Sequence, residues 1–243
     1  MSDDVTAEWV LALWTRAPTP AQAARLREAT LARLLRQHRI RKLDAPAVLG
    51  ILRQPAITVA PGVTEAAVLH LRSLVARLRL ANQEFHQAER KLEELCTALS
   101  KTEPSAQDSA PRDAAILSSL PGVGPVTLAT LLTEAAGPIS RRDYTALRTL
   151  SGVAPVTKRS GKSCIVIMRY AAQVRLRNAV FHWARGAVLN DPKCRSRYAA
   201  LRARGHSYGR ALRGVADRLL GVACVLLQQQ VLFDPNHGAP AQP

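Results

Sequence analysis

The chain has 243 residues, 47% of them hydrophobic and 21% charged, with a formal charge of +16. This composition excludes wholesale disorder. No run of about 18 apolar residues is free of charge, which excludes a helical membrane span. Four scattered cysteines without a Cys-x-x-Cys pair give no disulfide framework or zinc site, and the acidic N-terminus has no apolar run behind it. The expected location is therefore the cytoplasm.

The spacing predicts an all-α fold for the most part. Trp9, Val10, Leu13 and Trp14 share one helical face, ending before Pro18. Thr19-Pro20 starts a second helix that continues through Leu26, Leu31, Leu34 and Leu35 towards Arg39. Asp44 and Pro46 open a third, closed by Pro55. From Thr64 a long helix follows a 3-4 apolar repeat: Leu71, Leu74, Leu78, Ala81, Phe85, Ala88, Leu92, Leu95 and Leu99. Charged flanks accompany it, so the repeat predicts a coiled coil through which two or more copies of the chain associate. The expected organisation is a helical region at 1–62, the coiled coil at 63–101, a polar linker at 102–114, a second domain at 115–233 and a frayed tail at 234–243.

Charge divides the chain unevenly. Residues 1–143 carry 18 basic and 15 acidic side chains, whereas residues 144–243 carry 16 basic and three acidic ones, a net of +13. Of all 34 basic residues 28 are Arg, whose planar fork suits phosphate. Self-repulsion on that scale calls for a polyanion as partner. Nucleic acid fits, and no amphipathic basic helix points to a membrane surface.

Two segments of the basic half carry the candidate chemistry. In Leu120-Pro121-Gly122-Val123-Gly124-Pro125 a short helix turns into a second one. Gly122 and Gly124 are expected at positive φ, so that the turn is tight and its amides face a phosphate. Contacts of that kind read backbone, not sequence. Further on, Ser151 to Ser163 forms an expected irregular loop holding Lys158, Arg159, Ser160, Lys162 and Ser163. Its cations can hold a phosphodiester and stabilise charge developing on it. A serine hydroxyl is a poor nucleophile unless activated, so the residues alone favour cations that hold phosphate and serines that only hydrogen-bond to it over serines that attack it. Arg175 and Arg177 sit near the start of a basic helix expected over 169–189. Asp191-Pro192 ends that helix, Tyr198 and Leu201 lie on the next, and Leu212 to Leu226 line the last. The histidines have no metal-ligand spacing, and no spaced set of carboxylates suits a pair of divalent cations.

Four motifs in order carry a resemblance. They are Leu120 to Thr127, Leu150 to Ser163, Leu176-Arg177-Asn178-Ala179, and Tyr198 through Gly205-His206. Together they resemble the C-terminal domain of transposases of the insertion-sequence group 110/116/902. Residues 5–100 are similar to the linker and coiled coil that precede that domain. Ala172-Gln173 departs from the Gly-Asn that many members carry there. The resemblance implies a DNA-binding component of a transposase or site-specific recombinase, with Ser160 as the residue that joins DNA covalently. It also implies a structured guide RNA as a further partner, while Gly122, Gly124, Lys158, Arg159, Lys162, Arg175 and Arg177 are the residues expected to bind DNA. Family members begin with a RuvC-like domain whose acids bind Mg²⁺. Nothing in residues 1–60 resembles it, so no cofactor is expected in this chain and strand cleavage is expected to need that domain from elsewhere. The other readings are a non-catalytic helix-hairpin-helix binding module and a structural coiled-coil protein.

Overall fold

The computed structural model describes residues 5–101 and 112–235, and among these are twelve α-helices and one two-stranded sheet. The expected linker and tail lie mostly outside the described residues. The chain divides into two compact units, residues 1–89 and 90–243.

The first unit contains α1 (Glu8–Arg16), α2 (Pro20–Ala24), α3 (Glu28–Gln37), α4 (Ala45–Leu52) and the greater part of α5 (Val63–Ser100). Trp9, Leu13, Leu31, Leu35, Ala45, Val48 and Leu49 form its core. The expected second helix is two helices. Its break at Arg25 to Arg27 holds no glycine or proline. It is stabilised from a distance, because the Arg53 guanidinium donates to the carbonyls of Ala24 at 3.3 Å and Leu26 at 3.4 Å. Local sequence carries no sign of such a partner. In α5, Asn82 Nδ2 donates to the Thr6 carbonyl at 2.9 Å and Arg79 pairs with Glu8 at 2.9 Å. The helix buries Val75 and partly buries Leu71 and Leu78. Leu74 and Phe85 stay exposed, at 37% and 59% of their surface.

The second unit holds α6 (Asp113–Ser119), α7 (Pro125–Glu134), α8 (Ala136–Ser140), α9 (Tyr144–Leu150), β1 (Val156–Ser160), β2 (Ser163–Ile167), α10 (Val174–Asn190), α11 (Pro192–Ala203) and α12 (Tyr208–Gln229). Its core is the seam between α10 and α12. Leu176, Val180, Trp183, Ala184 and Ala187 meet Leu212, Val215, Leu219, Ala223 and Leu227 there. The small residues Ala184, Ala187 and Ala223 let the helix backbones approach, and Trp183 fills the remaining space with no exposed surface. α6, α7 and α9 add Ile116, Leu131 and Leu147 to the same core. Asp143 caps α9 by accepting from Ala146 N at 2.9 Å, and Asp191 caps α11 from Cys194 N at 2.6 Å. The last turns of α5 belong here too. Cys96 is buried against α7, its thiol 3.4 Å from the Pro125 carbonyl, while Leu95 and Leu99 remain half exposed.

Two expectations change in this unit. The Ser151–Ser163 segment is not an irregular loop. It enters an antiparallel β-hairpin with Val156↔Ile167, Lys158↔Ile165 and Ser160↔Ser163 in register. Helix α10 also starts at Val174, later than the expected Arg169. Residues 168–173 return the chain from the hairpin. Gln173 then caps α10, its side-chain oxygen accepting from Leu176 N at 2.6 Å.

Candidate nucleic-acid interface

The first candidate element is the turn between α6 and α7. Gly122 has φ 80°, and a Cβ there would lie 2.5 Å from the Ala187 nitrogen on α10. Pro121 accepts a hydrogen bond from Trp183 Nε1 at 2.9 Å. The turn is thus clamped onto the core helix, and glycine is required at Gly122 by packing as well as by φ. Gly124 differs from expectation. Its φ is −100°, nothing lies within 4 Å of where its Cβ would be, and it serves as the residue before the first turn of α7. Pro125 occupies the first position of α7, which leaves the amides of Val126 and Thr127 to head the helix. Beside this mouth lies a hollow of about 340 Å³ lined by Gly124, Pro125, Glu93, Thr97 and Lys101, so a carboxylate and an ammonium both border it.

The second element is the hairpin. Gly161 and Lys162 make its two-residue turn, with Gly161 at φ 53°. Every residue from Thr157 to Val166 is exposed. Strand alternation puts Lys158, Ser160, Ser163 and Ile165 on one face, and Thr157, Arg159, Cys164 and Val166 on the other. The hairpin therefore projects as a ribbon with neither face covered. It brings Lys158, Arg159, Ser160 and Lys162 together at its outer end. Among the described residues, none of those three cations is in an ion pair. The signal that reveals the ribbon is the β-branched run Ile165-Val166-Ile167 behind a Gly-x turn.

The helical cations divide. Arg175 reaches Glu134 at 3.4 Å with its side chain 83% exposed, a contact too loose to occupy it. Arg177, two residues along α10, is partly buried and makes no ion pair among the described residues. Four carboxylates of this unit are otherwise engaged. Asp113 grips Arg142 with two contacts of 2.6 and 2.7 Å. Asp217 grips Arg148 and accepts from the Tyr144 hydroxyl at 2.9 Å. Asp143 and Asp191 are helix caps. No group of three or more His, Cys, Asp or Glu that could hold a metal ion occurs among the described residues. These carboxylates therefore do not fit a divalent cation.

Residues 114–199 match the domain described as Transposase IS116/IS110/IS902 family. The matched domain runs from α6 into α11 and includes the α6–α7 turn, the ribbon and all of α10. The chain is also similar to a Streptomyces coelicolor protein titled "Mini-circle putative transposase for IS117", with 33% identity over 90% of this chain and 51% of that protein. A second relative from the same organism is titled "Insertion element IS110 uncharacterized 43.6 kDa protein", with 30% identity over 61% of this chain and 35% of that protein. The chain thus spans about half the length of the first relative and a third of the second. No helix among the described residues is long and apolar enough to cross a membrane.

Proposed function

We propose that this chain is the DNA-binding part of a transposase that mediates transposition of an insertion sequence. One observation carries the reading. The matched domain presents an exposed ribbon whose outer end joins a serine to three cations that make no ion pair among the described residues, within a 100-residue stretch of net charge +13. In this reading Lys158, Arg159, Lys162, Arg175 and Arg177 hold phosphates, and the amides heading α7 beyond Gly122 and Gly124 hold another. Ser160 Oγ forms a bond to phosphorus as the bond from phosphorus to the leaving deoxyribose oxygen breaks. The hydroxyl proton departs and the leaving oxygen takes one up, so the number of phosphodiester linkages is conserved. The described carboxylates supply no metal set, so the reading assigns Mg²⁺-binding acids to a RuvC-like domain outside the described residues.

The same reading places the protein in the cytoplasm and gives it a structured guide RNA as a further partner. It also makes the chain a homo-oligomer through α5. Leu74, Phe85, Leu95 and Leu99 follow the 3-4 repeat yet stay exposed, whereas Val75 and Cys96 face their own units. Phe85→Asp with Leu95→Asp alters only exposed positions and should convert the sedimenting species to monomer.

The test is covalent trapping on duplex DNA with a RuvC-like domain added in trans. A protein–DNA adduct that vanishes in Ser160→Ala, with duplex affinity retained, supports the reading. An adduct that persists in Ser160→Ala and is lost in Ser163→Ala moves the nucleophile across the turn. Duplex affinity should fall roughly 10³-fold or more between about 50 and 200 mM salt if six or more phosphates are contacted, and a flat dependence would sink the DNA-binding claim.

A further inference from the structure

A cavity of about 300 Å³ lies between the foot of the ribbon and the α10–α12 seam, and nothing above gives it a role. Val153, Met168, Phe181 and Leu212 make most of its wall apolar, and the guanidinium-bearing side chains of Arg177 and Arg213 stand in the same lining. Gly152 borders it at φ 72°, where a Cβ would come within 2.9 Å of the Ala172 Cβ and 3.5 Å of the Arg177 Cδ.

The two arginines are the unusual feature. Among the described residues neither makes an ion pair. Arg213 Nη1 lies 3.1 Å from the Met168 sulfur, a weak acceptor. Burial and the neighbouring charge of Arg210 both pull the pKa of Arg213 below its ordinary value. A partly buried cation without a counter-charge is unfavourable in the free protein. An anion entering from outside would relieve it.

The lining also constrains what that anion is. A bare phosphate would satisfy the arginines but leave the apolar wall wet. A purely apolar ligand would fill the wall but leave the arginines unpaired. A nucleotide satisfies both, with a flat apolar body for Phe181 and Met168 and a phosphate for a bidentate guanidinium. The volume is within the range of small-ligand sites, roughly 300–1,000 Å³. Met168 directly follows Ile167, which pairs with Val156 at the foot of the ribbon, while Ser160↔Ser163 closes its outer end. Four residue steps of about 3.3 Å separate those ends, so a strand held at Ser160 reaches the cavity within a few nucleotides.

We propose that the cavity between the ribbon and the α10–α12 seam takes one nucleotide drawn out of the bound DNA strand, its base against Phe181 and Met168 and its phosphate on Arg177 and Arg213. This rests on the DNA-binding reading and adds a site that grips a single unstacked nucleotide.

The chain has two methionines, Met1 and Met168, so methyl-¹³C-methionine labelling of the full chain places one of two signals inside the cavity. Titration with a deoxynucleoside monophosphate should move the Met168 methyl saturably. Inorganic phosphate alone, or the unphosphorylated nucleoside alone, should bind at least about tenfold more weakly, because each satisfies only half of the lining. Arg213→Gln should weaken the monophosphate about tenfold. If that variant loses its folded spectrum, Arg177→Gln makes the same test. A Met168 methyl that ignores the monophosphate, in a wild-type chain that still binds duplex DNA with steep salt dependence, would overturn this site and leave the DNA-binding reading standing. An equal response to phosphate alone or nucleoside alone would overturn the nucleotide assignment. Failure of the wild-type chain to bind duplex DNA would remove the reading beneath it.

Discussion

The α10–α12 seam and the β1–β2 ribbon belong to one unit but follow opposite rules. The seam buries whole rows of side chains, and its central residue, Trp183, has no exposed surface. The ribbon exposes both faces, including Ile165 at 57% and Val166 at 59%, and its three cations make no ion pair among the described residues. A two-stranded hairpin is marginal alone in water. In the seam each residue is explained by its neighbours within the chain. In the ribbon the residues have few neighbours to explain them, and that is where the candidate chemistry gathers.

The contrast breaks most visibly if stability is not concentrated in the seam. Trp183→Ala removes the largest fully buried side chain and the donor to the Pro121 carbonyl. It should cost about 3–5 kcal/mol, a large share of the roughly 5–15 kcal/mol by which folded domains are stable. Ile165→Ala on the ribbon should cost less than about 0.5 kcal/mol, as exposed substitutions usually do. Urea denaturation of both variants measures the pair. Comparable losses would mean that the ribbon is packed against something in solution.

A smaller effect separates two glycines that look alike in sequence. Gly122→Ala places a Cβ 2.5 Å from the Ala187 backbone nitrogen at φ 80°. Since that neighbour is helical backbone, relief requires moving α10, and we expect a loss of about 1–3 kcal/mol. Gly124→Ala meets open space at φ −100° and should stay within about 1 kcal/mol, the cost of a poorer helix-capping residue. Thermal melts distinguish the two, and equal losses would show that the turn is not clamped by α10.

The same division sets what the sequence discloses. Helices whose apolar face is buried announce themselves by period, so α1 and α12 fall where Trp9 and the row from Leu212 to Leu226 predict. The α6–α7 turn is equally readable from its Pro-Gly-Val-Gly string. The ribbon is not readable by alternation, which appears only when one face of a strand is buried, and its one sequence signal is the β-branched run Ile165-Val166-Ile167 behind the Gly161 turn. The gap between α2 and α3 is hidden for another reason, since its partner Arg53 lies 27–29 residues downstream. The repeat in α5 was legible as a stripe, but not that Val75 and Cys96, about one residue round the helix, would face the units while Leu74 and Leu95 face away. The three cations and Ser160 of the ribbon are legible by residue type alone. Which of them share a face required the register Lys158↔Ile165 and Ser160↔Ser163.

The subtlest expectation concerns alkaline pH and again lies on the buried side. Cys194 heads α11, where burial first, then a hydrogen bond and the charge of Asp191, push its thiol up to about 12. Burial also raises the Cys224 thiol, and raises the Tyr144 hydroxyl, which Asp217 raises further through their hydrogen bond. Each group is neutral when protonated and holds its proton to higher pH folded than unfolded. Once pH exceeds the ordinary thiol value of 9.0, the unfolded chain carries fewer protons than the folded one. Stability then falls as pH rises, because the state that has lost more protons gains ground. The contribution of Cys194 should be intact below about pH 9 and lost progressively towards about 12. Denaturation midpoints across that window should decline in the wild type and decline less in Cys194→Ala, measured against each protein's own value near neutrality. If both proteins decline in parallel, the Cys194 thiol is open to water, and the junction of α10 with α11 is looser than the seam it adjoins.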